Sequence, residues 1–316
     1  MIIVITNRFL NPDGSNTNLF GEKPNSKGLD ELRLAKAEFD DAGWQVELLP
    51  EGNLETGPMP SQLLFQEIME GIRAGKYRQH WVFYIHGFNQ SFAQSLEASR
   101  EISRIYDVDV ILFSWPSNPG GFVTDEYKQA KQAARASANA IDRALGKLAD
   151  YLINRPQLAI QTCRVSINLL VHSLGNYLVE NFVRRPIFLP EKRIFDNILF
   201  HQADVDNHLH RFWVDRLSYS RRIYITINEE DLVLKASDLI NPGRLGNTLQ
   251  SLNSTQALYM DFTFGTHVSG IHNLFLEVLE NASAREFFQQ VFWGARGEDV
   301  DGFQFDARIN AFRLRQ

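Results

Sequence analysis

The sequence predicts an α/β fold, a mostly parallel central sheet of about eight strands with helices on both faces. Short apolar runs alternate with longer segments of helical spacing along the chain, which is typical of strands joined by crossover helices. The runs are nearly continuously apolar, as expected of strands that are buried on both faces. Polar clusters follow several runs directly, at the sheet edge where such folds bind ligands.

Composition limits the classes of function. The 316 residues are 44% hydrophobic and 22% charged, which is ordinary for a globular protein. We expect one domain over residues 1–293 and a C-terminal tail over residues 294–316 that can pack on it. The net charge of −6, without a dense Lys/Arg run, argues against a nucleic-acid partner. The lone Cys163 excludes an internal disulfide and a cysteine-based zinc site.

No membrane association or export is expected from the sequence. No apolar stretch reaches the length of a membrane span. The apolar run at the start is too short and too soon polar for a signal peptide. We therefore expect a cytoplasmic protein.

The first half of the chain alternates strands and helices. A strand is predicted at residues 2–6. Residues 29–39 fit a helix face, yet residues 31–38 and 44–49 could instead form a hairpin, which is favoured. Then follow, in order, a helix at about 61–74, a strand at 81–85, a helix at 91–106, a strand at 109–113 and a long alanine-rich helix at 126–153.

A strand, a sharp turn and a helix are predicted over residues 165–180. The turn carries Ser173 to the carboxyl end of the strand and the amino end of the helix, which is the geometry of a nucleophile elbow. A helix start also supplies backbone N–H groups, although an N-capping serine would occupy the same place. Val171 stands where the G-x-S-x-G pattern has a glycine, and we expect its branched side chain to crowd the turn.

The second half continues the alternation. Strands are predicted at 194–201, 222–228 and 257–262, and helices at 208–217, 274–280 and 284–293.

Residues suited to hydrolysis follow four of these strands. They are the loop 86–89, Ser173, Asp231 and His272. A serine nucleophile needs a base, the base needs an acid that holds its tautomer, and an oxyanion needs N–H donors. The order of donor loop, Ser, Asp and His is the one expected for a hydrolase triad on this fold. His267 competes with His272 as the base, and Asp204 competes with Asp231 as the acid.

The motifs around these positions resemble those of a bacterial family of uncharacterised α/β-hydrolases, over roughly residues 2–280. The matching blocks are His-Gly-Phe-Asn at 86–89, Ser-Trp-Pro-Ser at 114–117, His-Ser-Leu-Gly-Asn at 172–176, Ala-Asp-Val-Asp at 203–206 and Asp-x-x-Leu at 231–234. The resemblance implies that Ser173 is the nucleophile, Asp231 the acid and His272 the base. It also implies an oxyanion hole made by the backbone N–H groups of Phe88 and Leu174.

One group of polar residues after the strands contains metal-ligating residue types. The cluster His201, Asp204, Asp206, His208 and His210 could suggest a metal. However, His208 and His210 are two apart at a helix start and point to different sides, and acidic residues before a helix usually cap it. We therefore expect no metal.

Trp115 follows a strand, so we expect it, with the turn up to residue 121, to form a wall of the substrate pocket beside Phe88.

Together these features predict a serine hydrolase, in first place a carboxylic-ester hydrolase that forms an acyl-enzyme on Ser173 and needs no cofactor. The expected partner is a small-molecule acyl ester. An amidase, peptidase or thioesterase would use the same residues. A catalytically weak scaffold is the alternative from another class, with the helix at 126–153 or the tail contacting a protein partner.

Overall fold

The structure is a computed structural model and describes residues 1–28, 30–52, 57–118, 123–153, 165–186, 193–241 and 243–315. In these ranges the strands are β1 (Ile2–Thr6), β2 (Arg8–Leu10), β3 (Phe20–Pro24), β4 (Arg33–Asp40), β5 (Gly43–Leu48), β6 (His80–Ile85), β7 (Asp109–Ser114), β8 (Ser166–His172), β9 (Phe195–His201), β10 (Ser220–Ile227), β11 (Ala257–Asp261), β12 (Phe303–Asp306) and β13 (Ala311–Leu314). The α-helices are α1 (Pro60–Arg73), α2 (Phe92–Tyr106), α3 (Val123–Ile153), α4 (Gly175–Arg184), α5 (Arg211–Val214), α6 (Leu232–Asp238), α7 (Leu274–Glu277) and α8 (Ala282–Phe292). Cys163 and the predicted turn at 119–121 lie outside the described residues.

One sheet of eleven strands forms the centre of the described structure, in the order β12-β13-β11-β10-β9-β8-β6-β7-β1-β4-β5. The eight strands from β13 to β1 pair parallel with their neighbours. The predicted fold class, a mostly parallel sheet, is therefore confirmed. The sheet has eleven strands where about eight were predicted, because antiparallel strands extend both edges.

A hairpin extends one edge of the sheet, so the favoured alternative for residues 29–49 is the one observed. β4 pairs antiparallel with both β1 and β5. The turn closes at Gly43, whose φ of +101° is a conformation that side-chain-bearing residues rarely adopt. Leu29, which would have begun the alternative helix, lies outside the described residues.

The C-terminal residues extend the other edge. β13 pairs parallel with β11, and β12 pairs antiparallel with β13. Arg313 on β13 donates from Nε to Asp261 Oδ2 on β11 at 3.0 Å. Phe303 on β12 packs edge-on against Phe262 and also contacts Phe287. Residues 303–314 are therefore part of the sheet and its core.

The predicted helix at 208–217 is wrong in extent, since only the single turn α5 is helical. Leu209 has a φ of +66°, which breaks a regular helix just before Arg211. The helix predicted at 274–280 likewise ends at Glu277.

Two apolar layers cover the sheet. Helices α1, α3, α4 and α5 pack on one face, where Leu169 and Val171 of β8 point, while α2, α7 and α8 pack on the face of Leu170. Parallel strands end at a common edge, so the residues that follow β6, β8, β9, β10 and β11 come together there. Across the described ranges, no helix combines the length and the apolar character that crossing a membrane requires.

Candidate active site

Ser173 stands on a sharp turn between β8 and α4. Its φ is +52°, a left-handed conformation that is uncommon for a residue with a side chain and that the surroundings must hold in place. The Ser173 N–H donates to His201 O at 3.0 Å, and the N–H groups of Asn176 and Asp204 donate to Ser173 O at 3.0 and 3.2 Å. These bonds fix the turn from both sides.

Val171 does not prevent this turn. Its side chain is fully buried in the apolar core, and its carbonyl accepts a bond of 3.1 Å from the side-chain amide of Asn176. The tight contact lies instead at Gly175, where a Cβ atom would stand 2.7 Å from His86 O. The turn thus forms with a valine at this position, and the second glycine of the pattern is the one that close packing requires.

His272 and Asp231 form a hydrogen-bonded pair. The distance from His272 Nδ1 to Asp231 Oδ2 is 2.6 Å, and Asp231 is fully buried. The other oxygen, Oδ1, accepts from the N–H groups of Val233 and Leu234 at 2.9 and 3.0 Å, so Asp231 also caps α6. Because a carboxylate oxygen accepts, the Nδ1 of His272 carries a proton, and Nε2 is the ring nitrogen left to take a proton from a nucleophile.

His272 lies next to the residue that precedes Ser173. The rings of His272 and His172 are 4.8 Å apart, and His172 Nε2 is 3.4 Å from His272 O. Within the described residues, no hydrogen bond joins Ser173 Oγ to another group. The acid–base pair is thus formed, whereas the bond between base and serine is not made in this structure.

The side chains of the competing residues have other partners. His267 is exposed, and its nearest carboxylate is Glu280, at 3.8 Å. Asp204 accepts from Tyr127 OH at 2.9 Å and from Ser237 Oγ at 2.8 Å, and Arg244 lies 3.8 Å away. The structure therefore brings His272 and Asp231 together and leaves His267 and Asp204 apart from them.

Two of the residues that could suggest a metal site, His210 and Asp206, bond to other groups of the protein. His210 is hydrogen-bonded within the core. Its Nδ1–H donates to Asn207 O at 2.7 Å, and its Nε2 bonds Tyr259 OH. Asp206 pairs with Arg244. In the ranges that the structure describes, no group of three or more His, Cys, Asp or Glu side chains is arranged to hold a metal ion.

Two free N–H groups border Ser173. The loop after β6 comes so close that a Cβ atom on Gly87 would lie 2.8 Å from Ser173 Cβ and 3.3 Å from its Oγ. Among the described residues, neither the N–H of Phe88 nor that of Leu174 donates a hydrogen bond. Free donors that flank a serine are what an oxyanion needs.

His86 and Trp115 hold this loop from below. His86 Nδ1 lies 3.0 Å from Gly87 O, and His86 Nε2 accepts from the N–H of Trp115 at 3.2 Å. Burial lowers the pKa of His86 to about 3, with a smaller contribution from the charge of Arg8, so this ring is neutral. The Trp115 indole stacks on His86 and donates to His86 O at 2.9 Å.

The expectation for Trp115 therefore needs correction. Its side chain is fully buried, and its one donor is used within the protein. It packs under the loop that carries Phe88 instead of forming a pocket wall. Its place after β7 predicts exposure, whereas residues 115–117 are all buried.

Two more histidines surround the pair. Burial lowers the pKa values of His172 and His201 well below their usual range, and the nearby His272 lowers both further. His201 Nδ1 bonds Thr226 Oγ1 at 2.8 Å, and its ring packs edge-on against Phe275. His272 thus has uncharged rings on one side and the Asp231 carboxylate on the other.

Two amide side chains that were not predicted as site residues, Gln202 and Asn228, hydrogen-bond to the loop of His272. Gln202 Nε2 donates to Asp231 Oδ2 and, at 2.9 Å, to Ile271 O. Asn228 Nδ2 donates to Ile271 O at 3.1 Å and to Val268 O at 3.2 Å. Both residues directly follow strands, and that position was the available signal.

A mostly parallel sheet, a serine on a left-handed turn after β8, and an acid–histidine pair after later strands define the class of α/β hydrolases. The model of the family described as alpha/beta hydrolase of unknown function (DUF900) matches residues 65–264. That range is more than half of the chain, and the protein belongs to this family. It contains Phe88, Ser173, Leu174 and Asp231 but ends before His272. No curated protein matches the chain.

Proposed function

We propose that the protein is a serine hydrolase that cleaves carboxylic esters through an acyl-enzyme on Ser173. The observation that carries the proposal is the 2.6 Å bond between His272 and the buried Asp231. The His272 ring also contacts His172, the residue that precedes Ser173. A neutral histidine whose Nδ1 proton is held by a carboxylate has the tautomer that a general base requires.

In the first step Ser173 Oγ attacks the acyl carbon of the ester while its proton moves to His272 Nε2. Negative charge then develops on the former carbonyl oxygen, and the N–H groups of Phe88 and Leu174 would stabilise it. The buried Asp231 stabilises the imidazolium that forms. His272 next protonates the leaving alcohol, whose bond to the acyl carbon breaks.

Water completes the cycle. His272, neutral again, takes a proton from a water molecule that attacks the acyl-enzyme, and the same two N–H groups receive the second oxyanion. Collapse of this intermediate returns the proton to Ser173 and releases the carboxylic acid. An amide or thioester could follow the same steps. An ester is preferred to an amide because an alcohol leaves more readily than an amine, whereas the thiol of a thioester leaves more readily still, so only the assay separates ester from thioester.

A second candidate, a catalytically weak scaffold, is favoured by one specific observation. Ser173 Oγ has no hydrogen bond to the rest of the described chain, so base and nucleophile are not hydrogen-bonded in this structure. Such bonds are often long in enzymes without substrate, and the observation alone therefore does not exclude catalysis.

Turnover of p-nitrophenyl acetate tests the proposal. The wild type should release p-nitrophenol well above the buffer rate, and Ser173→Ala should lose this activity. Ser269→Ala is the matched control, because Ser269 is an exposed serine in the loop before His272. A folded wild type without activity on esters, amides and thioesters, as judged by circular dichroism and rate, would favour the scaffold.

A further inference from the structure

An apolar cavity of about 340 Å³ lies away from Ser173, between the sheet and helices α1 and α3. Its floor is formed by side chains of β1, β6 and β7, namely Ile3, Ile5, Phe83 and Ile111. The volume falls within the range of small-molecule sites, about 300–1,000 Å³. None of the residues of the candidate active site lines it.

The charged side chains around this cavity carry an excess of one positive charge. The cations are Arg33, Arg143 and Lys147, and the carboxylates are Glu31 and Glu51. Arg143 and Lys147 are four apart on α3 and therefore share one helix face. Arg143 donates to Asp30 O at 2.7 Å, and neither it nor Lys147 pairs with a carboxylate of the described chain.

Arg33, the third cation of the cavity, is held by groups of the chain itself. Its side chain is only 8% exposed, and its Nε–H has no acceptor among the described residues. Its other nitrogens bond Leu32 O at 2.9 Å and Glu51 Oε1 at 2.8 Å. Glu31 Oε2 also lies 3.8 Å from Arg33, so this guanidinium is already paired within the chain. Arg143 and Lys147 are therefore the cations that can receive a ligand, and a carboxylate accepts from a guanidinium in a favourable geometry.

We propose that this cavity binds a single-chain aliphatic carboxylate, with the alkyl chain on the apolar floor and the carboxylate at Arg143 and Lys147. One excess positive charge matches a monoanion. The apolar floor matches an alkyl chain. This site does not depend on catalysis at Ser173.

Isothermal titration of the full chain with decanoate, and with decan-1-ol as its uncharged counterpart, tests the site. Decanoate should bind with one molecule per chain and more tightly than decan-1-ol. Lys147→Glu should weaken decanoate binding roughly tenfold or more through like-charge repulsion. The matched control is Lys128→Glu, on the same helix but not at the cavity, which should bind like the wild type.

A second variant tests the location without changing charge. Ala144 is buried in the cavity wall, so Ala144→Phe should fill the space and abolish binding, while Ser173→Ala should leave it unchanged. Each variant is checked by circular dichroism, and Lys147→Glu suffices if Ala144→Phe does not fold. No binding by the wild type, equal binding of decan-1-ol, or unchanged affinity in Lys147→Glu would overturn the proposal.

Discussion

Replacing Asp231 by Asn should abolish most turnover while leaving the fold in place. Asn is as good a helix N-cap as Asp, so the bonds to Val233 and Leu234 can be kept. In place of Asp231 Oδ2, however, an NH₂ group would face the Nδ1–H of His272 and the Nε2–H of Gln202, which are both donors. To avoid this contact, His272 would have to place its proton on Nε2, and it would then no longer accept a proton from Ser173.

The expected size of the effect follows from this change of tautomer. An Asp-to-Asn change in a serine-protease triad lowers turnover about 10⁴-fold, which corresponds to about 5.4 kcal/mol in the activation free energy. The cost in folding stability should be smaller, about 1–3 kcal/mol for a buried donor left without an acceptor. Catalysis should therefore suffer far more than stability.

The assay is turnover of p-nitrophenyl acetate, together with thermal unfolding followed by circular dichroism. Asp204→Asn is the matched control, because Asp204 is also a buried carboxylate after a strand and bonds Tyr127 and Ser237 instead of a histidine. It should lose stability but keep turnover within about tenfold of the wild type. An active Asp231→Asn beside a folded but inactive Asp204→Asn would refute the assignment of the acid.

Three further predictions concern the loop after β6. Gly87→Ala should lower turnover about 10²-fold and the free energy of unfolding by about 1–3 kcal/mol, since the new methyl group would stand 2.8 Å from Ser173 Cβ; steady-state kinetics and melting of the same sample check this. Trp115→Ala should lower the free energy of unfolding by about 3–5 kcal/mol without changing the preference among p-nitrophenyl esters of different chain length, and a changed preference would restore Trp115 as a pocket wall. The folded-state pKa of His86, about 3, lies below the unfolded value of about 6.5, so this residue's part of the stability is complete above pH 6.5 and is lost as the pH falls from there towards 3. Urea unfolding should show about 2 kcal/mol of this loss between pH 7 and pH 5, and His86→Gln should lack that part.

The arrangement of the candidate site could be predicted from the sequence because parallel strands end at a common edge. Ser173, Asp231 and the loop with Phe88 each follow a strand, so their proximity required only the strand assignments. The structure adds what the strand assignments could not supply: Asp231 reaches His272 with one oxygen and caps α6 with the other.

Other features depended on contacts between distant parts of the chain. The direction of the Trp115 side chain is set by its bond to His86, 29 residues earlier, and strand position alone does not report it. The sequence of β12 alternates too little between apolar and polar residues to be recognised as a strand. Its burial comes from contacts of Phe303 with Phe262 and Phe287, which are distant in the sequence. Gln202 carries no ionisable group and therefore gave no chemical signal, although it bonds both Asp231 and the loop of His272.

Labelling of the pure, full-length protein with a fluorophosphonate tests the central claim most directly, because the reagent reacts with activated serines whatever their natural substrate. Intact-mass spectrometry should find one adduct per chain, and peptide mapping should place it on Ser173. Ser173→Ala and His272→Ala should not be labelled, whereas His267→Ala should be labelled like the wild type. A folded wild type that stays unlabelled, or an adduct on another serine, would contradict the account.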